Sequence, residues 1–415
     1  TRLNIDAFRE AVAPFLASLP DGSCAGVSIN GQPAGDHDLD AVVVPASSSK
    51  ILTAAAALDV LGPDFRYETR VVGPTPTDGI ILGDVYLVGG GDPVLSSDWY
   101  PDSELDRFPV FNHTSLDELA DALSDAGVTE IRGAVRGDGS RYDDEFFAPG
   151  WGGGVAGLEA GPYDGLLVND ARVLGDDLRG NDPAEAGARE FVRLLAERGV
   201  VVTGGSGTGT APADADELGA IESRPLPDIV AEMLPNSDNT TAEMVVKAIG
   251  LVASGAGTRP AGLDAITETI ADWGIDTTGL VLADGSGLAL DNRLTCRQLL
   301  DVLQRTGVDS PLGAGLPVAG ETGTLRELFD DTPGAGRLRG QTGTLNNFPI
   351  DEDPPGAKAL AGYLPVDGGG QIEYVLLLNG PTIPDQREYR PFWAALATAL
   401  ASYPAVASPS ELGPR

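Results

Sequence analysis

Helical periodicity and apolar strands open this chain and return in its last third, while the stretch between is built differently. Residues 4–18 place Ile5, Phe8, Val12, Phe15 and Leu16 at helical spacing. Cys24–Ile29 reads as a strand, and Ser47-Ser48-Ser49-Lys50 leads into an alanine-rich helix that Gly62-Pro63 stops. From Tyr67 the texture becomes short strands (67–72, 80–88, 130–137) between Gly and Asp turns, with one helix over 115–126. Residues 138–170 are irregular, glycine-rich and aromatic. A helix over 183–199 and a strand over 200–203 follow, and then a connector over 204–217. Helices return at 226–234, 239–254 and 260–273, strands at 279–283, 336–344, 357–363 and 372–379, and a helix at 387–402. The spacing predicts one α/β domain interrupted by a long insertion.

Composition narrows the functions open to such a chain. Its 415 residues are enough for two or three domains. The 62 acidic against 27 basic side chains give a net charge of -35, which repels nucleic acid and anionic membrane surfaces. At 42% hydrophobic residues the chain can still bury a core. No apolar run reaches the roughly 20 residues of a transmembrane helix. The chain begins at Thr1 without a targeting pattern, as expected of either a cytosolic protein or a trimmed mature form. Cys24 and Cys296 have no Cys-x-x-Cys spacing, which argues against metal and leaves a disulfide or two buried thiols open. His37 and His113 both fall in polar loop-like stretches, so a histidine base is not expected.

The basic residues carry more information than the net charge. Only three are lysines (Lys50, Lys247, Lys358), and Lys50 alone has a serine three positions before it. On a helix, residues three apart share a face, so the Ser47 hydroxyl and the Lys50 amine can meet. A helix N-terminus and desolvation both favour a neutral amine, the form a general base needs. Ser237-Asp238-Asn239 is a second candidate, although Ser, Asp and Asn are also ordinary helix caps and Ser28-Ile29-Asn30 matches Ser-x-Asn too. Gln341-Thr342-Gly343-Thr344 is a third: a strand edge offering hydroxyls and backbone N–H groups to a carboxylate or carbonyl. Glu321-Thr322-Gly323-Thr324 is a near copy of it.

In this order the three segments resemble the Ser-x-x-Lys, Ser-x-Asn and Lys-Thr-Gly set of penicillin-binding proteins and serine β-lactamases. At these residues the chain resembles the D-Ala-D-Ala carboxypeptidase/endopeptidase family, the low-molecular-mass class C penicillin-binding proteins. Pro45–Ala56, Gly83–Pro93, Asp284-Gly285-Ser286-Gly287-Leu288 with Asn292–Thr295, and Leu316–Gly320 also resemble family segments. The resemblance implies a penicillin-binding domain with a five-stranded antiparallel sheet and flanking helices (1–63 and 218–415). It also implies two inserted domains, one over 64–81 and 151–217 and the other over 82–150.

The implied chemistry is acyl transfer from a peptidoglycan stem peptide ending in D-Ala-D-Ala, with acylation by β-lactams. Ser47 would be the nucleophile and Lys50 its base. Ser237 would relay a proton and Asn239 would hold the substrate amide. Gln341, Thr342, Gly343 and Thr344 would form the substrate edge. The resemblance implies no cofactor and no metal, no nucleic-acid partner and an extracytoplasmic location. Gln341 departs from the family pattern, because it stands where a lysine is expected and brings no charge. Arg339, two residues earlier on the same face of a strand, or another cation would compensate. The departure also keeps open a weakly active or inactive peptidoglycan-binding homologue, or an esterase or β-lactamase on the same fold.

Overall fold

The first and last thirds share a texture because they build one sheet. In the computed structural model, which describes residues 2–103, 105, 112–152, 155–346, 356–367, 369–383 and 385–404, its strands run in the order Arg339–Leu345, Ala357–Pro365, Gln371–Asn379, Cys24–Ile29, Gln32–His37. All four pairings are antiparallel. Cys24–Ile29 lies opposite residues 372–377 and is buried along its whole length, as an apolar strand inside a two-faced sheet should be. Arg339–Leu345 is the edge strand.

Helices Arg2–Leu16 and Gln386–Leu400 share a core with the sheet through Phe8, Val12, Leu16, Leu360, Tyr374, Trp393 and Leu396. Each fully buried side chain of this kind contributes roughly 1.5–3 kcal/mol. Helix Cys296–Thr306, which the periodicity reading does not single out, also packs on the sheet. Thr295 caps it through a reciprocal pair with Gln298. Gly26 makes the approach possible, because a Cβ there would stand 2.6 Å from Leu39 Cδ1 and 3.0 Å from Leu300 Cδ2. Cys24 and Cys296 are joined in a disulfide, tying the first residue of this helix to the inner strand.

The chain divides into two compact units: 1–55 with 234–237 and 267–415, and 56–233 with 238–266. The second has its own five-stranded mixed sheet, in the order Ser206–Thr208, Val135–Asp138, Val85–Val88, Glu68–Gly73, Asp216–Glu222. This sheet pairs a strand from the 64–81 segment directly with one from 82–150. Val71, Leu87, Leu119, Val135, Phe191 and Leu194 form its core. Lys247 is fully buried in this unit. It forms an ion pair with Asp143 at 2.6 Å and donates to the carbonyls of Asp143 and Glu145.

Two expectations need correction. Residues 279–283 form no strand and make only the isolated bridge of Val281 with Arg293. Four apolar residues among glycines there lack a neighbouring strand to pair along their length. The connector 204–217 holds the short strand Ser206–Thr208 and the start of Asp216–Glu222. Pairing with Val135–Asp138 and Glu68–Gly73 overrides their poor strand propensity.

Two buried carboxyls in the second unit carry a pH dependence. Burial pushes Asp92 up to about 6, although Thr114 Oγ1 and the Val94 N–H donate to it. Burial likewise pushes Asp164 up to about 7 against the Gly165 N–H. Above a pH near 4 the unfolded chain ionises both groups while the fold keeps them protonated, so stability falls as pH rises from about 4 to about 7. Urea titrations should show this fall, and Asp92→Asn with Asp164→Asn should flatten it. Reduction of the disulfide should remove about 2–5 kcal/mol of stability, read as a lower Tm in reductant.

Candidate active site

A short 3-10 turn, Ala46–Ser49, presents Ser47 and runs directly into helix Lys50–Val60. Lys50 is fully buried and Ser47 is half-buried. Lys50 Nζ donates to Ser47 Oγ at 3.1 Å and to the Ser286 carbonyl at 2.6 Å. The amine therefore sits between the hydroxyl it would deprotonate and a fixed backbone acceptor. Ala46, just before Ser47, has φ +50°. A left-handed conformation at a non-glycine residue costs about 1–3 kcal/mol and persists only where its surroundings enforce it.

The enforcing surroundings are two glycines and one carboxylate. A Cβ on Gly287 would stand 2.0 Å from the Ala46 carbonyl oxygen, and one on Gly343 would stand 3.0 Å from both Ala46 Cβ and the Pro45 oxygen. Gly287 lies in a loop wound around the fully buried Asp284. That carboxylate accepts from the N–H groups of Gly287 and Ala289 and from Asn292 Nδ2. Thr53 Oγ1 donates to the Gly285 carbonyl, anchoring the loop to helix Lys50–Val60. Asp284 thus holds the Ser286 carbonyl on Lys50. The sequence showed this segment only as a resemblance; its role depends on a contact spanning 236 residues.

Ser237 occupies another left-handed position, φ +52°, just after helix Leu226–Asn236. Gly323 packs under this turn, where a Cβ would stand 2.3 Å from the Pro235 oxygen. Gln341 Nε2 donates to Ser237 Oγ and to the Thr342 carbonyl, both at 3.1 Å. The second contact fixes the amide, because an oxygen turned that way would face a carbonyl. Ser237 oxygen therefore accepts from Gln341 and keeps its own hydrogen to donate. Gln341 Oε1 is buried without a partner among the described residues.

The third segment organises the first two. Gly343 abuts the backbone before Ser47, while Gln341, on the same strand face, bonds to Ser237. The Gly340 N–H points off the sheet edge to the Pro317 carbonyl. By the strand's alternation the N–H groups of Thr342 and Thr344 also face outward. Thr342 Oγ1 bonds to Thr324 Oγ1 at 2.9 Å, so the near-copy segment serves as a support for this strand.

The other two residues singled out have contacts of their own. Asn239 starts helix Asn239–Ser254 in the second unit and donates to the Glu159 carbonyl. Its neighbour Asp238 is the helix cap, accepting from the Thr241 N–H. Arg339 donates to the Gly313 carbonyl at 3.4 Å. A cation that does touch the third segment is Lys358, which sequence reasoning passed over; its pairing with Thr344 is a matter of strand register.

Comparison with known proteins agrees with this architecture. A family model described as the D-Ala-D-Ala carboxypeptidase 3 (S13) family matches residues 8–154 and 162–400. The carboxypeptidase Rv3627c of Mycobacterium tuberculosis is 35% identical over 94% of this chain and 83% of its own length. A D-alanyl-D-alanine carboxypeptidase from an Actinomadura strain is 31% identical over 97% of this chain and 84% of its own. In fold, the chain is similar to the crystal structure of penicillin binding protein 4 from Haemophilus influenzae. The TM-score is 0.73 at 21% identity, covering 94% of this chain and 98% of the other.

Gly287→Ala should displace the Ser47 turn. A displacement of this kind is expected to slow acylation of Ser47 by about ten-fold or more. Stopped-flow acylation of the variant checks it; an unchanged rate would mean that the turn is not held by this contact.

Proposed function

The chain belongs to the D-Ala-D-Ala carboxypeptidase 3 (S13) family, and from that premise we propose how a serine-type D-Ala-D-Ala carboxypeptidase works with these residues. The carrying observation is the Lys50 Nζ to Ser47 Oγ contact of 3.1 Å, with the amine buried and seated on the Ser286 carbonyl. Its substrate is a peptidoglycan stem peptide ending in D-Ala-D-Ala, and β-lactams acylate the same serine.

Ser47 Oγ attacks the carbonyl carbon of the penultimate D-Ala while Lys50 takes its proton. The negative charge that develops on the carbonyl oxygen is met by the backbone N–H groups of Ser47 and Thr344. The C–N bond then breaks, and the departing amine receives a proton through Ser237. Gln341 supports this relay because it occupies only the acceptor side of the Ser237 hydroxyl. Terminal D-Ala leaves, and water attacks the Ser47 ester to release the shortened peptide. Asn239 takes the substrate amide, and Thr342 and Thr344 take the terminal carboxylate.

Two observations support an extracytoplasmic location. The Cys24–Cys296 disulfide suits an oxidising compartment, and the polymer that carries this substrate lies outside the membrane. No described helix is long and apolar enough to cross a membrane.

A fluorescent penicillin should label the wild-type protein at Ser47, and Ser47→Ala should remove the label. Lys50→Ala should slow labelling by about 10²–10⁴-fold. The wild-type protein should release D-Ala from an acyl-D-Ala-D-Ala peptide. Labelling that survives Ser47→Ala would sink the assignment.

A further inference from the structure

The mechanism above leaves Lys358 unused and one charge unaccounted for. Gln341 gives Ser237 its hydrogen bond but supplies nothing positive for an anionic substrate. Lys358 lies on strand Ala357–Pro365 directly opposite Thr344. Its Nζ donates to Thr344 Oγ1 at 2.6 Å. The ammonium sits 4.3 Å from the centre of the Tyr389 ring and 5.9 Å from that of Trp393. Aromatic faces attract a cation at these distances, so the head group is held in place. Lys358 is half-buried while Thr344 is exposed, so the pair reaches solvent through the threonine.

The two faces of the edge strand therefore carry different duties. Gln341 and Gly343 face Ser237 and the nucleophile turn. Thr342 and Thr344 face the other way, where Lys358 is the cross-strand neighbour. A hydroxyl whose oxygen accepts from an ammonium keeps its own hydrogen, and the charge makes that hydrogen a stronger donor. A carboxylate arriving at Thr344 meets a polarised O–H with a full positive charge behind it.

We propose that Lys358 supplies the positive charge that selects a substrate with a terminal carboxylate, working through and beside Thr344. The inference rests on the reading of Thr344 as the carboxylate-contacting residue. Where a lysine at position 341 would combine proton relay with charge, this chain divides them. A neutral amide holds the relay serine and a lysine on the next strand holds the anion. Recognition is then for the carboxylate itself, and an ester of the same molecule loses the benefit.

The test compares benzylpenicillin with its methyl ester, reading Ser47 acylation rates by intact-protein mass for wild type, Lys358→Met and Lys358→Arg. Lys358→Met should slow the acid by about ten-fold or more and leave the ester within about two-fold. Lys358→Arg should keep most of the wild-type preference for the acid. Equal slowing of acid and ester by Lys358→Met would reduce Lys358 to a structural residue and overturn the proposal, as would no slowing of either. Wild-type protein unmodified at Ser47 by both probes would instead overturn the acyl-serine reading on which this one rests.

Discussion

Everything at the candidate site depends on how closely one sheet edge approaches the backbone that carries Ser47. Gly343 leaves little room for a side chain between the edge strand and residues 45–46, and Gly287 leaves none on the loop side. Between them Ala46 is held in a backbone conformation that it would not adopt unaided. The turn that follows is correspondingly fixed, and with it the direction of the Ser47 hydroxyl. Two amino acids further, the same strand reaches Ser237 through Gln341. A single strand thus positions groups that are separated by 190 residues in sequence, and the hydrogen-bond register of the sheet is what delivers it.

Much of this was legible in the sequence where the signal is local. Helix periodicity gave the elements around 2–16, 50–60, 183–197 and 386–400 to within a few residues. Ser47 and Lys50 could be paired because a helix converts a spacing of three into contact. The change of texture marked the insertion, because strands that pair with distant partners still carry their own apolar pattern. What stayed hidden depends on pairing. That Lys358 opposes Thr344, that Thr324 supports Thr342 and that Asp284 winds a loop onto Lys50 are facts of register and long-range packing. None leaves a trace in local composition. The Asp238 side chain shows the reverse case, where a residue inside a functional-looking triplet is an ordinary cap.

The lysines show how strongly the fold differentiates residues of one type. Lys247 is buried, paired with Asp143 and bonded to two carbonyls in the second unit, a structural use of charge that suffers heavily if either partner is removed. Lys50 is equally buried, and its head group donates to a hydroxyl and to a carbonyl. Lys358 is only half-buried, resting on aromatic rings. On a chain with 62 acidic residues, arginine would serve any of the generic surface tasks. The buried places of Lys50 and Lys247 call for a compact, rotatable amine instead.

The disulfide and the main sheet together join residue 24 to residues 296 and 377. A chain emerging in order from its N-terminus must therefore leave its inner strand waiting while more than half the protein is made. Cys24–Ile29 can pair at first only with Gln32–His37, and its other edge stays open until Gln371–Asn379 arrives. The residues between form a unit with a separate core, able to condense while the first remains incomplete. The acyl-transfer machinery is consequently among the last parts of the molecule to exist. An unfinished chain holds Ser47 and Lys50 with neither the Ser286 carbonyl nor the Gly343 wall, so their geometry is complete only once the edge strand has been made.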